Sequence, residues 1–183
     1  MKSIRHAVLA LAACAAILPA AEPLALTGTD GKPVSVKLEG KTTAVIFVST
    51  QCPVSNDYNG RMKELYSEYK QKGIDFVFVN SNATEPAAEV VKHAQDNGFT
   101  FPVHKDVDNK VADRFNAQVT PEVLVFDKSG NIAYHGSIDD SRAAARISKR
   151  PLKHALDSIL AGKAVPVAES KAFGCTIKRA KKQ

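Results

Sequence analysis

Five consecutive apolar residues, Ala44-Val45-Ile46-Phe47-Val48, are followed closely by Cys52-Pro53 and then by Met62, Leu65, Tyr66 and Tyr69 at helical spacing. An apolar, β-branched run without polar alternation marks a strand covered on both faces. The i, i+3, i+4, i+7 stripe marks a helix with one apolar side, stopped at Gly73. The same pairing recurs downstream. Ile74 to Val79 reads as a second buried strand, and Ala87, Val90, Val91 and Ala94 as a second helical stripe ending near Gly98. Phe101 to His104 reads as a short strand, and Asp108 as the cap of a brief helix carrying Val111 and Phe115. Hairpins flank this core: Leu24 to Val36 around Asp30-Gly31, and Val123 to Phe126 with Ile132 to His135 around the turn Asp127 to Gly130. Pro151 opens and Gly162 closes a last helix with Leu152, Ala155, Leu156, Ile159 and Leu160 inward, after a polar loop from Ser137 to Arg150. The order predicts an α/β sandwich with a mixed central sheet.

The N-terminus reads as a leader. Lys2 and Arg5 precede an apolar run from Ala7 to Ala20, which suggests a signal peptide over residues 1–21, cut after Ala20 or Ala21. A rival reading takes Leu11-Ala12-Ala13-Cys14 as a lipobox that would leave a lipid anchor at Cys14. Either way the product is exported, to the periplasm or the medium. Residues 22–165 then form one domain, and 166–183 a basic tail carrying Cys175. The formal charge is +6, and without Lys2 and Arg5 it is 23 basic against 19 acidic residues. Lys178, Arg179, Lys181 and Lys182 account for that surplus, and they read as a solvated, frayed terminus. No aromatic or groove-reading motif accompanies them, so no nucleic-acid partner is expected. Glycine-rich nucleotide motifs are absent, and His93, His104, His135 and His154 are isolated, so neither a cofactor nor a metal is expected.

Two cysteines remain outside the leader, Cys52 and Cys175. Pro53 suits a first helical position, which makes Cys52 the N-cap. Its sulfur then lies near free N–H groups and the positive end of the helix, and both favour thiolate over thiol. Ser55, one turn on, can offer its hydroxyl to that sulfur but cannot resolve a mixed disulfide. A free cysteine can also be a small buried hydrophobe. The Cys-Pro step at a strand-to-helix junction favours chemistry instead.

From Leu24 to about Gly162 the chain resembles the thioredoxin-like superfamily, and within it the redoxin branch (alkyl hydroperoxide reductase/thiol-specific antioxidant-like proteins). The resemblance rests on DGKPV in the first hairpin, VIFVSTQCPVS at the active turn, and VTPEVLVFDKSGNIAYHG downstream. FGCTIKR in the tail and Ile138-Asp139-Asp140 resemble a peroxiredoxin-like subgroup with a single Cys-Pro turn and a C-terminal Gly-Cys. The resemblance implies a thioredoxin-like sandwich in which the Thr120–Pro121 bond is cis and Pro121 packs against the Cys52 sulfur. It departs from thioredoxins in having CPVS at the turn. It departs from peroxiredoxins too: Ser49 fills their hydroxyl position, but Val45 stands at the proline, and Thr120-Pro121-Glu122 stands where an arginine is expected.

The leading expectation is a thiol–disulfide oxidoreductase: Cys52 attacks a substrate disulfide, Cys175 resolves, and Ser49, Ser55, Thr120 and Pro121 shape the site. Its partners would be a disulfide-bearing protein, a small thiol or a peroxide, together with an electron donor. The alternatives are a weak thiol peroxidase and a non-catalytic module with a structural Cys52–Cys175 bridge. The tail after Gly162 shows no periodicity, so a bridge is expected to be its tie, with reduction freeing it. Closing a loop of roughly 120 residues is credited with roughly 4–5 kcal/mol in the chain-entropy treatment.

Overall fold

The computed structural model describes residues 21–181. The leader and Cys14 therefore lie outside the described residues, apart from Ala21. Among the described residues no helix is long and apolar enough to cross a membrane.

Strands β1 (Leu24–Thr27) and β2 (Pro33–Val36) form the first hairpin, and β3 (Thr43–Phe47) is the buried run. After it come α1 (Pro53–Asp57), α2 (Asn59–Lys70), β4 (Asp75–Asn80), α3 (Ala87–Asp96), β5 (Val103–Lys105) and α4 (Lys110–Arg114). Then β6 (Val119–Thr120), β7 (Glu122–Phe126), β8 (Ile132–Gly136), α5 (Pro151–Leu160) and β9 (Cys175–Thr176) complete the chain. Seven strands make one sheet in the order β2-β1-β5-β4-β3-β7-β8. The β3–β4 and β4–β5 pairs are parallel and the others antiparallel, which is the mixed sheet the alternating pattern predicts.

Side chains alternate across a strand, and the two faces separate accordingly. Ala44, Ile46, Phe78, Val123 and Val125 pack with Met62, Tyr69, Val90, Leu152 and Leu156 from α2, α3 and α5. Val45, Phe47, Val77, Val79, Leu124 and Phe126 face Val111 and Ala112 of α4, the hairpin residues Leu24 and Leu26, and Ile177. Both faces being covered explains why β3, β4 and β7 read as continuous apolar runs.

Two local expectations change. Asp108 does not cap α4; it lies at φ 60°, and Asn109 precedes the helix at φ 58°. The cap is Asp106, whose carboxylate accepts the Val111 and Ala112 N–H groups at 2.9 Å each, so the start signal lies two residues earlier. The tail is the larger change. Among the described residues Cys52 and Cys175 are free thiols, yet the segment from Ala168 to Ala180 is tied to the domain at several points.

Several contacts hold that segment without a covalent tie. His135 N–H donates to Ala168 O at 2.8 Å, and Ser170 N–H returns a bond to His135 O at 3.1 Å. Phe173 meets the buried Tyr58 ring edge-on. Strand β9 pairs antiparallel with β6, setting Cys175 opposite Thr120, and Ile177, 3% exposed, enters the second core. Lys178 N–H donates to Asn82 Oδ1 at 2.7 Å, and Arg179 Nε pairs with Asp113 at 2.8 Å. The basic run therefore starts as a docked element and not as a frayed terminus. None of these contacts has a local period, because each is made to a distant strand or loop.

The strap crosses β8 where Gly136 leaves room; a Cβ there would overlap the Ser170 backbone and hydroxyl. Gly136→Ala is expected to lower stability by about 1–3 kcal/mol in urea unfolding, the usual cost of overpacking. An unchanged unfolding midpoint would contradict the docked strap.

Candidate active site

Cys52 follows β3 at the C-terminal end of two parallel strands, the common location of sites in α/β sheets. It is the N-cap of α1 with Pro53 in the first turn, and its sulfur accepts the Ser55 N–H at 3.2 Å. The helix is short, however, and bends at Tyr58 before α2 begins. Directed N–H and S–H donors therefore act on the sulfur more than a long helix dipole does. The Ser55 hydroxyl, expected on the sulfur, turns the other way and accepts the Ser49 N–H at 3.1 Å. Ser49 Oγ accepts the Cys52 N–H at 3.0 Å and donates to Glu85 Oε1 at 2.5 Å. The two serines thus lock the turn from both sides.

The Thr120–Pro121 bond is cis. Thr120 O accepts the Cys52 thiol at 3.3 Å. Thr120 Oγ1 is buried without a hydrogen-bond partner, close enough to serve the sulfur once its proton has left. On the opposite side stands Cys175, set against Thr120 by the β6–β9 pairing. Of the residues singled out in the sequence, Ser49, Cys52, Ser55 and Thr120 are joined by hydrogen bonds, Cys175 pairs opposite Thr120, and Pro121 follows Thr120 across the cis bond.

The two thiols differ in surroundings. Cys52 is 2% exposed, whereas Cys175 is partly open to solvent. Burial pushes the Cys52 thiol up, but the Cys175 S–H, the Ser55 N–H and Thr120 outweigh it, so its pKa lies below the ordinary value. The Cys175 pKa is raised by burial and by the Cys52 sulfur beside it, against the opposing Val54 N–H and the Arg142 charge. Neither cysteine lines the clefts of about 300 and 520 Å³ beside α2 and α5.

Sequence reasoning missed two buried carboxylates. Glu85, 2% exposed, accepts from Ser49 Oγ, from Thr50 N–H at 2.8 Å, and from Asn80 and Asn82 amides at 2.5 and 3.0 Å. Lys105 Nζ braces the same loop through Asn80 Oδ1, Asn82 O and Glu85 O at 2.5–2.9 Å. Burial raises the Glu85 pKa, but these donors, Ser49 first, bring it below the usual carboxylate value. The available signal was the polar run Asn80-Ser81-Asn82 ending an apolar strand, with Glu85 just before Pro86.

The second, Glu122, stands where an arginine would be expected. It accepts the Gln118 and Val119 N–H groups at 2.7 and 3.0 Å and pairs with His135 Nε2 at 2.6 Å. His135 is thereby engaged by Glu122, and that hydrogen bond raises its pKa. Asp139 and Asp140 have separate partners. Asp140 accepts Ser148 N–H at 2.9 Å, while the buried Asp139 binds Tyr58 OH and Arg61 at 2.7 Å each. His93, isolated in the sequence, meets Asn56 Oδ1 at 2.9 Å and the Phe99 ring.

Because Glu85 has a depressed folded pKa, its contribution is present above its unfolded value of about 4.3 and is lost as the pH falls through the lower folded value. Glu85→Gln, which places donors where the loop already donates, is expected to lose about 2–3 kcal/mol at pH 7. Its urea midpoint should change less than that of the wild type on acidification from pH 5 to pH 3. Parallel curves for the two proteins would contradict the carboxylate's role.

Known proteins share this architecture. A sequence profile of the Redoxin family matches residues 13–149. The thiol-disulfide oxidoreductase ResA of Halalkalibacterium halodurans is 30% identical over 108 residues, 58% of this chain and 60% of that protein. ResA of Geobacillus kaustophilus is 32% identical over 93 residues, 51% of this chain and 52% of that one. The chain thus spans between half and three fifths of the length of these curated relatives. Among solved structures, an uncharacterized conserved protein from Geobacillus kaustophilus superposes with a TM-score of 0.81 at 30% identity, covering 90% of this chain and 93% of that one. StoA from Bacillus subtilis, at 18% identity and a TM-score of 0.55 over 64% of this chain and 89% of its own, shares the thioredoxin-like fold. With a family profile spanning most of its length over a sheet and Cys-Pro turn of this kind, the chain belongs to the Redoxin family.

Proposed function

We propose that this redoxin is an exported thiol–disulfide oxidoreductase in which Cys52 and Cys175 form the redox pair. The observation that carries the reading is that Thr120, whose carbonyl accepts the Cys52 thiol at 3.3 Å, lies opposite Cys175 in the β6–β9 pairing. Oxidation of the two thiols to one disulfide gives two electrons and two protons to a substrate disulfide, which becomes two thiols. Cys52 is the nucleophilic thiolate, while Ser49 and Ser55 fix its turn and Thr120 with Pro121 forms its opposite wall. The names of the ResA relatives agree with this chemistry. Export rests on Lys2, Arg5 and the apolar run after them.

Cys175, partly open to solvent and lining neither of the two clefts, suits a disulfide-bearing protein better than a small molecule enclosed in a cleft. A peroxidase needs donors aimed at the peroxide bond. Arg142, the cation whose charge reaches Cys175, has its guanidinium engaged by Asp57 at 2.6–2.7 Å, which favours disulfide exchange. A separate thiol protein would return electrons to the oxidised pair.

Reduced protein mixed with an oxidised peptide disulfide should yield two peptide thiols and one Cys52–Cys175 crosslinked peptide per turnover. Cys52→Ser and Cys175→Ser should each lose turnover by about a hundredfold or more, as removal of half a redox pair requires. Faster bridge formation with hydrogen peroxide than with the peptide would instead favour the peroxidase reading. A bridge that resists dithiothreitol would favour the structural one.

A further inference from the structure

Between Asp140 and Asp157 the chain carries Arg142, Arg146, Lys149, Arg150 and Lys153 and no acidic side chain. Arg142 is paired with Asp57 and Lys153 with Glu68. Among the described residues Arg146, Lys149 and Arg150 meet no carboxylate, and neither does Lys171 of the strap. The cleft of about 520 Å³ opens beside these cations. Pro151 and Ala155 of α5 and Val167 and Phe173 of the strap give it apolar walls, and Lys149 and Lys171 belong to its lining. Val167 stays 52% exposed there, an apolar surface left without a cover. Asp140, the acid in the lining, is already engaged by the Ser148 N–H and hydroxyl. The cleft therefore offers apolar surface and unpaired positive charge together.

We propose that this cleft docks an acidic, apolar segment of the disulfide-bearing partner protein. A large apolar side chain of that segment enters between α5 and the strap, and the carboxylates beside it meet Lys149 and Lys171. The inference rests on the redox function proposed above and names what the substrate carries next to its cystine. Phe173 ties the cleft to the redox pair. It precedes Cys175 by two residues, which span at most about 7 Å of backbone. Its ring also meets Tyr58, at the junction of α1 and α2 that follows Cys52. An extended chain advances about 3.3 Å per residue, so a partner whose cystine meets Cys175 reaches the cleft wall with a residue about two or three positions away.

Charge selects a polypeptide over a small anion. The volume would admit either occupant. Arg146 and Arg150 lie outside the lining, however, and a ligand confined to the cleft would leave both unpaired. An extended acidic segment meets them as it leaves the cleft. In such a complex the buried apolar side chain supplies affinity, and the charges supply orientation and a faster encounter.

The test uses the full chain in its reduced form and short synthetic peptides that each hold one cystine. The first probe carries phenylalanine flanked by glutamates beside the cystine. The second has lysines for the glutamates, and the third has serine for the phenylalanine. By kcat/KM at low salt the first should be reduced at least about tenfold faster than the second, as several exposed charge pairs together allow. That gap should narrow in about 0.3 M salt, where screening is shorter than about 8 Å. The third should be slower than the first by about tenfold, the loss expected for one buried aromatic side chain. Lys149→Glu combined with Lys171→Glu, both at exposed positions, should abolish the preference for glutamate over lysine. Equal rates for the first two probes, or a preference that the double variant keeps, would overturn the docking site and leave the redox pair standing. If the wild type reduces none of the probes, the redox pair fails. The ¹⁵N shifts of Val167 and Phe173 then judge the docking alone: movement with the first probe and not the second supports it, and no movement overturns it. Movement of those resonances with decanoate but not with the first probe would mark a small-anion site and overturn the polypeptide occupant.

Discussion

A Cβ on residue 174 would overlap the Thr120 carbonyl group, and that close approach governs the whole site. Glycine there lets the tail backbone lie against the strand that ends in the cis bond to Pro121, so that Cys175 falls opposite Thr120. Thr120 in turn accepts the Cys52 thiol. One missing side chain therefore brings together residues more than a hundred positions apart in sequence, without a covalent link between them. The contacts on either side of it, the His135–Ser170 strap and Ile177 in the core, keep that approach from depending on a single pair of hydrogen bonds.

Two buried carboxylates hold the loops that meet at this point. Glu85 gathers the Ser49 hydroxyl and the Thr50 N–H on the side of Cys52. Glu122 gathers the Gln118 and Val119 N–H groups on the side of Thr120. A buried carboxylate surrounded by donors stays ionised, because the hydrogen bonds to the charged form exceed the cost of desolvating it. Both groups have lowered pKa values for this reason, burial acting against them. They are anchors for the backbone and not proton donors to the reaction. His135 pairs with the second of them through its ring Nε2.

The sheet was legible in the sequence because burial on two faces writes itself into β3, β4 and β7 as unbroken apolar runs, and one-sided burial writes itself into α2 and α3 as stripes. The turn at Cys52 was legible because its signals, the cap, Pro53 and the apolar run before them, are adjacent in the chain. The cis bond and the meeting of Cys52 with Cys175 came through family resemblance. What stayed hidden depends on partners far away in sequence. Glu85 reads as an ordinary loop acid until the strand ends place Ser49 and Asn80 around it. The cap of α4 was assigned to Asp108 because capping is usually local, whereas Asp106 reaches forward across a left-handed turn. The tail has no period because each of its residues answers to a different neighbour.

The central claim is that the reduced tail is seated and that the two thiols already act as one titrating pair. Thiol pKa values read from the ¹³Cβ shifts of Cys52 and Cys175 in the fully reduced protein test it directly. The account predicts that Cys52 loses its proton first, below the ordinary thiol value of about 8.5, and Cys175 later, above it, with each resonance also moving during its partner's step. Two independent transitions near the ordinary value, neither felt by the other cysteine, would contradict it.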